Sequence, residues 1–148
     1  MVITLQDQRL LDWAGAKLHC RWGAEAKTIA SVDDGEILAV CVFDDFTKHN
    51  CTMHIASTTP RWGTASFIKA CFRYPFIQCG LERVTFIVRA DDPKIISLAE
   101  RLGAQKEGRV RRYFSSCDAL IYGMTWEDAD RWIGEKHGQR FAFAAACA

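Results

Sequence analysis

Residues 58–76 read TTPRWGTASFIKACFRYPF, a polar loop that passes into an apolar-striped helix. At the junction Pro60, Arg61, Trp62 and Gly63 precede the small residues Thr64, Ala65 and Ser66. The first turn of a helix presents unpaired N–H groups and a partial positive charge, which together attract an anion. A phosphate oxygen reaches those N–H groups only where the surrounding side chains are small. Gly63, Thr64, Ala65 and Ser66 meet that condition, and Arg61 adds a cation. The chemistry suggested is diphosphate binding. The plainer alternative is a loop that turns at Pro60 and Gly63 and packs Trp62 on the core. The residues alone leave both open, because a phosphate loop so poor in glycine is a weak motif.

Other reactive side chains point to less. His49, Cys51 and His54 look like a ligand cluster. On a strand, however, His49 and Cys51 share one face while His54 points to the other, so no metal site is expected. The seven cysteines contain no C-x-x-C pair, and an odd number cannot all pair. Most lie in apolar segments, where a reduced thiol packs as a small hydrophobe. Net charge is +1 but unevenly spread: residues 61–112 hold 11 Lys and Arg against 5 Asp and Glu, and the remainder holds 8 against 13. That middle stretch suits an anionic partner, either a phosphorylated cofactor or a nucleic acid, although a plain solvated surface can look the same.

These groups need a scaffold, and 148 residues suffice for one domain with a real core. The chain is 49% hydrophobic and 25% charged, which is ordinary globular chemistry. It has no apolar run of membrane-spanning length and no signal-peptide pattern, so the cytoplasm is the expected location and no membrane partner is expected. Residues 5–19 place Leu10, Leu11, Trp13, Ala14 and Leu18 at helical spacing. Two β-rich runs follow, joined at Asp33-Asp34-Gly35, a strong hairpin signal. CTMHIAST reads as a third antiparallel strand. A helix over about 63–79 carries Phe67, Ile68, Cys71 and Phe72 on one face, is kinked or stopped by Pro75, and ends at Gly80. LERVTFIVRA reads as a strand and DDPKIISLAERLG as a helix, with Asp92 as cap, Pro93 at its first position and Gly103 at its end. Two strands, AQKEGRVRRYF and DALIYGMT, precede a short WEDADRWI helix. The fold class expected is mixed α+β on one central sheet, as a single domain over 1–134. In the tail, 135–148, apolar FAFAAACA is expected to dock on the sheet, to seal a homodimer or to remain mobile.

The order of elements, together with PRWGTA, GLERVTFIVRADDPKIISLAERLGAQKEGRVRRY and DALIYGMTWED, resembles the GNAT acetyltransferase superfamily. The similarity runs from about Gly35 to Trp126, and the nearest branch is that of the ribosomal-protein N-terminal acetyltransferases. The resemblance implies a largely antiparallel sheet in which CTMHIAST and LERVTFIV form a splayed parallel pair. The pantetheine arm of coenzyme A would lie between them, against the main chain of Ile55, Ala56 and Ser57. It also implies that the amides of the loop before the long helix hold the diphosphate. Gly63 and Ala65 match two fixed positions of that loop, with Trp62, Thr64 and Ser66 beside them. Pro60 departs from the usual Gln or Arg, and Arg61 would supply the missing charge. Asp92 stands where the family commonly has Asn, near the cofactor.

The activity implied is direct transfer of an acetyl group from acetyl-CoA to an amine, either a small molecule or a protein N-terminus or lysine. Such transfer needs a base, a polarised carbonyl and a proton for the departing thiolate. His54 is the leading candidate base, with Asp44 and Asp45 as alternatives. The family's usual tyrosine is missing from the ISLAERLG helix, which leaves Ser97, Tyr113 and Tyr122 as candidate donors. Two other functions compete: a degenerate coenzyme A-binding or interaction module, and an RNA-directed acetyltransferase or nucleic-acid binder. The latter would use Arg109, Arg111 and Arg112 with Tyr113 and Phe114. A charged strand edge accounts for that run more simply, so nucleic acid is not the expected partner.

Overall fold

A computed structural model describes residues 2–3 and 7–134. Its elements are β1 (Val2–Ile3), α1 (Gln8–Leu18), β2 (Lys27–Asp33), β3 (Glu36–Asp44), β4 (Asn50–Ser57), a 3₁₀ turn (Pro60–Trp62) and α2 (Ala65–Arg73). A widened turn (Tyr74–Gln78), β5 (Arg83–Arg89), α3 (Pro93–Leu102), β6 (Gln105–Val110), β7 (Ala119–Thr125) and α4 (Asp130–Ile133) follow. Seven strands form one sheet in the order β1-β2-β3-β4-β5-β7-β6. β4 and β5 pair in parallel, while the other neighbouring pairs are antiparallel. The mixed α+β class expected from the sequence is the one observed. The two-residue β1 was not foreseen, since so short a run has no readable period.

Local chemistry sets most of the boundaries. Asp34 and Gly35 both take positive φ (47° and 80°), as the primed turn of a two-residue hairpin requires. Thr64 caps α2 by accepting from the Phe67 N–H. Pro75 has no N–H to give the preceding turn, so α2 stops at Arg73 rather than running to 79. The chain then widens into a turn closed by the Cys79 N–H on the Tyr74 carbonyl. Asp92 caps α3 by accepting from the Lys94 and Ile95 amides, and Gly103 ends it at φ 107°.

β6 stops at Val110, short of the expected strand. Arg111 to Phe114 form a turn in which Arg112 has φ 55°. That conformation lets the Arg112 N–H donate to Asp118 Oδ1 (2.8 Å), while Arg109 Nε donates to Asp118 Oδ2 (2.7 Å).

Helices cover the two sides of the sheet unequally. On one side α2, α3 and α4 bury Phe67, Phe72, Leu102 and Ile133 against Phe86, Tyr122 and Met124. Phe72 packs between Phe86 and Trp132, and truncating it to Ala costs about 3–5 kcal/mol. On the other side α1 lays Leu10, Leu11 and Ala14 on Ala30, Val40, Val42 and Ala56. Strand β4 serves both: Cys51, Met53 and Ile55 join the first core, and Ala56 joins the second.

Cys41, Cys51, Cys71 and Cys117 are buried as expected, but Cys20 and Cys79 are exposed. The tail and Cys147 lie outside the described residues. Among the described residues, no helix is long and apolar enough to cross a membrane.

Candidate active site

The parallel pair is short. β4 and β5 match only at Asn50–Arg83, Cys51–Val84 and Thr52–Thr85. Past Thr52, β4 continues to Ser57 on β3, and β5 continues to Arg89 on β7. The two strands therefore separate, and among the described residues β4 from Met53 to Ser57 has no strand on its β5 side. The closed end is pinned by side chains. Asn50 Oδ1 accepts from Arg83 Nε (3.1 Å) and from Thr85 Oγ1 (2.7 Å), and Arg83 pairs with Glu107 (2.7 Å).

The open edge of β4 leads directly to the Pro60–Ser66 junction. Trp62 turns inward, 9% exposed, and meets Phe67 edge-on. The turn is therefore anchored rather than covered, and Arg61, Gly63, Thr64, Ala65 and Ser66 are all exposed. Ala65 and Ser66 open α2, so their N–H groups have no acceptor within the helix. Gly63 has φ −80°, and a Cβ there would meet only Ile68 Cδ1, at 3.8 Å. Neither the backbone nor the packing of the described residues demands glycine there. Beside it lies a cavity of about 350 Å³ lined by Arg61, Thr64, Ser66 and Thr59, with Asp33 and Ser31 on its β2 wall.

His54 lies on the separated part of β4, opposite Val42 in the ladder. Its ring meets Trp22 edge-on at 5.0 Å. Burial lowers its pKa below the ordinary histidine value, while Asp44 and Asp45 pull it partly back up. The imidazole is thus neutral at neutral pH, as a base must be. Asp44 is itself buried and accepts from the Gly23 N–H, so it is engaged structurally, whereas Asp45 is exposed.

The structure brings His54, Ile55, Ala56 and Ser57 together with the Arg61–Ser66 turn along one path. The other sequence candidates lie on other elements. Ser97 is exposed on α3, and Tyr113 is 51% exposed on the β6–β7 turn against Phe114. Tyr122 is buried and donates to Glu100 Oε1 at 2.9 Å, a packing role. Asp92 spends its carboxylate on the α3 cap. Trp62 contributes its backbone to the turn, its side chain being in the core.

Sequence reasoning passed over Arg21-Trp22-Gly23, although the same tripeptide recurs at 61–63 and was the available signal. Trp22 also lines a cleft of about 660 Å³ between α1 and residues 20–24, with Gln8, Asp12 and Arg21 among its walls.

A parallel pair splayed after three matched positions, opening onto a capped helix N-terminus, is the decisive feature. The fold is that of the GNAT acetyltransferases. Mutant forms of the spermidine/spermine N-acetyltransferase SpeG from Vibrio cholerae superpose with a TM-score of 0.73 at 12% identity, covering 88% of this chain and 97% of that one. The dodecameric spermidine N-acetyltransferase from Vibrio cholerae matches at 0.71 and 12%, over 90% and 95%. A further acetyltransferase structure matches at 0.66 and 19%, over 76% and 65%. No protein-family model and no curated protein matches the chain. The GNAT architecture is therefore shared, while the branch rests on the sequence motifs alone.

Proposed function

We propose that this GNAT-fold chain transfers an acetyl group from acetyl-CoA to an amine. The observation that carries this reading is the run of open β4 edge from Met53 to Ser57 into the exposed Gly63–Ser66 turn. Main-chain groups of Ile55, Ala56 and Ser57 would hold the pantetheine arm as a further strand does. The Ala65 and Ser66 amides with Arg61 would hold the diphosphate, and the empty space at Gly63 admits it. Bound there, acetyl-CoA supplies an activated thioester carbonyl. His54 takes the proton that the attacking amine nitrogen loses as the new C–N bond forms and the C–S bond breaks. The departing thiolate takes a proton from an exposed hydroxyl, that of Ser97 or Tyr113, or from solvent.

The acceptor would bind on the α1 side of the sheet, where α1 and residues 20–24 line a cleft. An amine acceptor agrees with the polyamine enzymes among the structural neighbours. The acceptors in view are a small amine and a protein N-terminus or lysine. A cytoplasmic setting, where acetyl-CoA is made available, fits this activity.

A second reading is a coenzyme A-binding module without turnover, favoured by Pro60 in the loop and by the absence of a tyrosine on α3. One experiment separates the two. Acetyl-CoA is added to the full chain while melting temperature and thiol release are followed across an amine panel. Stabilisation with thiol release supports transfer, and stabilisation alone supports the module. If saturating acetyl-CoA leaves the melting temperature unmoved, both fail.

A further inference from the structure

Residues 20–24, between α1 and β2, are fastened to the rest of the molecule at separate points. Trp22 Nε1 donates to the Leu11 carbonyl at 2.9 Å, and the Gly23 N–H donates to Asp44 Oδ2 at 2.9 Å. Two glycines permit this. A Cβ on Gly15 would lie 2.9 Å from the Cys20 carbonyl oxygen and 3.2 Å from Trp22 Nε1. A Cβ on Gly23 would lie 3.0 Å from Asp44 Oδ1. A side chain at 15 would push the Cys20 carbonyl away from α1, and one at 23 would shift the Asp44 carboxylate that holds the segment. The outcome of these constraints is the placement of one ring. The Trp22 indole stands edge-on to the His54 imidazole, with 5.0 Å between centroids and 62° between planes. At the position of His54, β4 has already parted from β5, and the indole is the ring that meets its imidazole.

We propose that Trp22 and Asp44 are positioning residues for the acyl transfer: the Asp44-tethered segment sets the Trp22 indole against His54, fixing the imidazole and excluding water from that side of it. This rests on His54 being the base.

The electrostatics provide a signature that a purely structural role would lack. Asp44 and Asp45 act on His54 from the end of β3. The tethered segment carries Cys20 and Arg21, α1 carries Arg9, Asp12 and Lys17, and β5 has its charges only at Arg83 and Arg89, its two ends. Burial, the larger influence, lowers the His54 pKa, and the carboxylates oppose it. Removing the indole and removing the Asp44 charge must therefore move His54 in opposite directions.

The test is an NMR titration of the full chain, with the His54 ring signals among the four histidines assigned by His54→Gln. In Trp22→Ala the His54 pKa rises toward the ordinary value of about 6.5 as water reaches the ring. In Asp44→Asn an acceptor oxygen for Gly23 remains but the charge is gone, and the pKa falls further. Trp22→Phe keeps a ring without the Leu11 tether; it gives a smaller rise, and it reports even if the alanine variant does not fold. With acetyl-CoA and an amine, Trp22→Phe lowers kcat about tenfold and leaves the acetyl-CoA KM within about twofold. A His54 titration that ignores both Trp22 variants, or that moves the same way in Trp22→Phe and Asp44→Asn, overturns the proposal. Failure of acetyl-CoA to bind the wild-type chain would instead remove the transferase reading, and the titrations distinguish the two.

Discussion

Thr52 and Thr85 are the last residues at which β4 and β5 face each other in register. Beyond them the strands divide, and the division begins where Asn50 stops holding them. Asn50 Oδ1 accepts from both Arg83 Nε and Thr85 Oγ1, so its loss strands two partly buried donors at once. Asn50→Ala is expected to cost about 1–3 kcal/mol in denaturant unfolding, with Asn50→Asp retaining most of the stability. Equal stability of the alanine variant and the wild type would show that something else closes the pair.

Gly63 separates cofactor space from folding. Its φ is negative and its nearest prospective neighbour is Ile68 Cδ1 at 3.8 Å, so Gly63→Ala should shift stability by no more than about 0.5 kcal/mol. A longer acidic side chain in Gly63→Glu should leave the fold intact and abolish stabilisation by acetyl-CoA. Thermal melts with and without acetyl-CoA read both effects. Retained stabilisation in the glutamate variant would place the diphosphate elsewhere.

Charge around the neighbouring cavity makes a paired prediction. Arg61 and Asp33 are both among the walls of the same 350 Å³ space. Arg61→Ala should weaken acetyl-CoA binding and reduce its salt dependence, while Asp33→Asn should tighten it by removing a like charge. Calorimetric titration at two ionic strengths checks this. Changes of the same sign in the two variants would contradict an anion bound between those walls.

Asp92 has a simpler duty. Its carboxylate accepts from the Lys94 and Ile95 amides at 3.1 and 3.2 Å. Asp92→Ala should destabilise the chain by about 0.5–2 kcal/mol, and Asp92→Asn by much less. If the asparagine variant instead changed acetyl-CoA affinity at constant stability, the residue would be acting on the cofactor.

The His54 pKa is lowered in the folded chain, first by burial. Protonation therefore favours the unfolded state. Stability should hold above about pH 6.5, the unfolded value, and fall as pH drops from there through the folded pKa. The acid limb of kcat/KM should have its midpoint below 6.5, because the base is the neutral ring. Melting curves and rates between pH 5 and about pH 8 check both, and His54→Gln should flatten the stability slope. A rate midpoint above 6.5 would exclude His54 in this environment as the base.

Much of the scaffold was legible in the sequence, because its causes are local. Asp34-Gly35 supplies the positive φ of a hairpin, Pro75 withholds an N–H that α2 needs, and Asp92 and Gly103 bracket α3. The turn proposed to hold the diphosphate was legible for the same reason: its small residues and the helix start are adjacent in the chain. Arg111 to Tyr113 misled, since their pattern continues β6 while Arg112 takes a left-handed conformation to reach Asp118. That choice depends on a partner across the turn.

Arg-Trp-Gly occurs twice, and only the tertiary structure tells the copies apart. At 61–63 the indole is core and the backbone faces outward. At 21–23 the indole is tied to Leu11, the glycine is tied to Asp44, and the ring lies against His54. Sequence alone determined most of the elements and the small-residue turn before α2, because caps, turns and apolar periods act over a few residues. The tertiary structure decided where the parallel strands part and which tryptophan guards the histidine. Those outcomes come from packing between segments far apart in the chain, which no local pattern encodes.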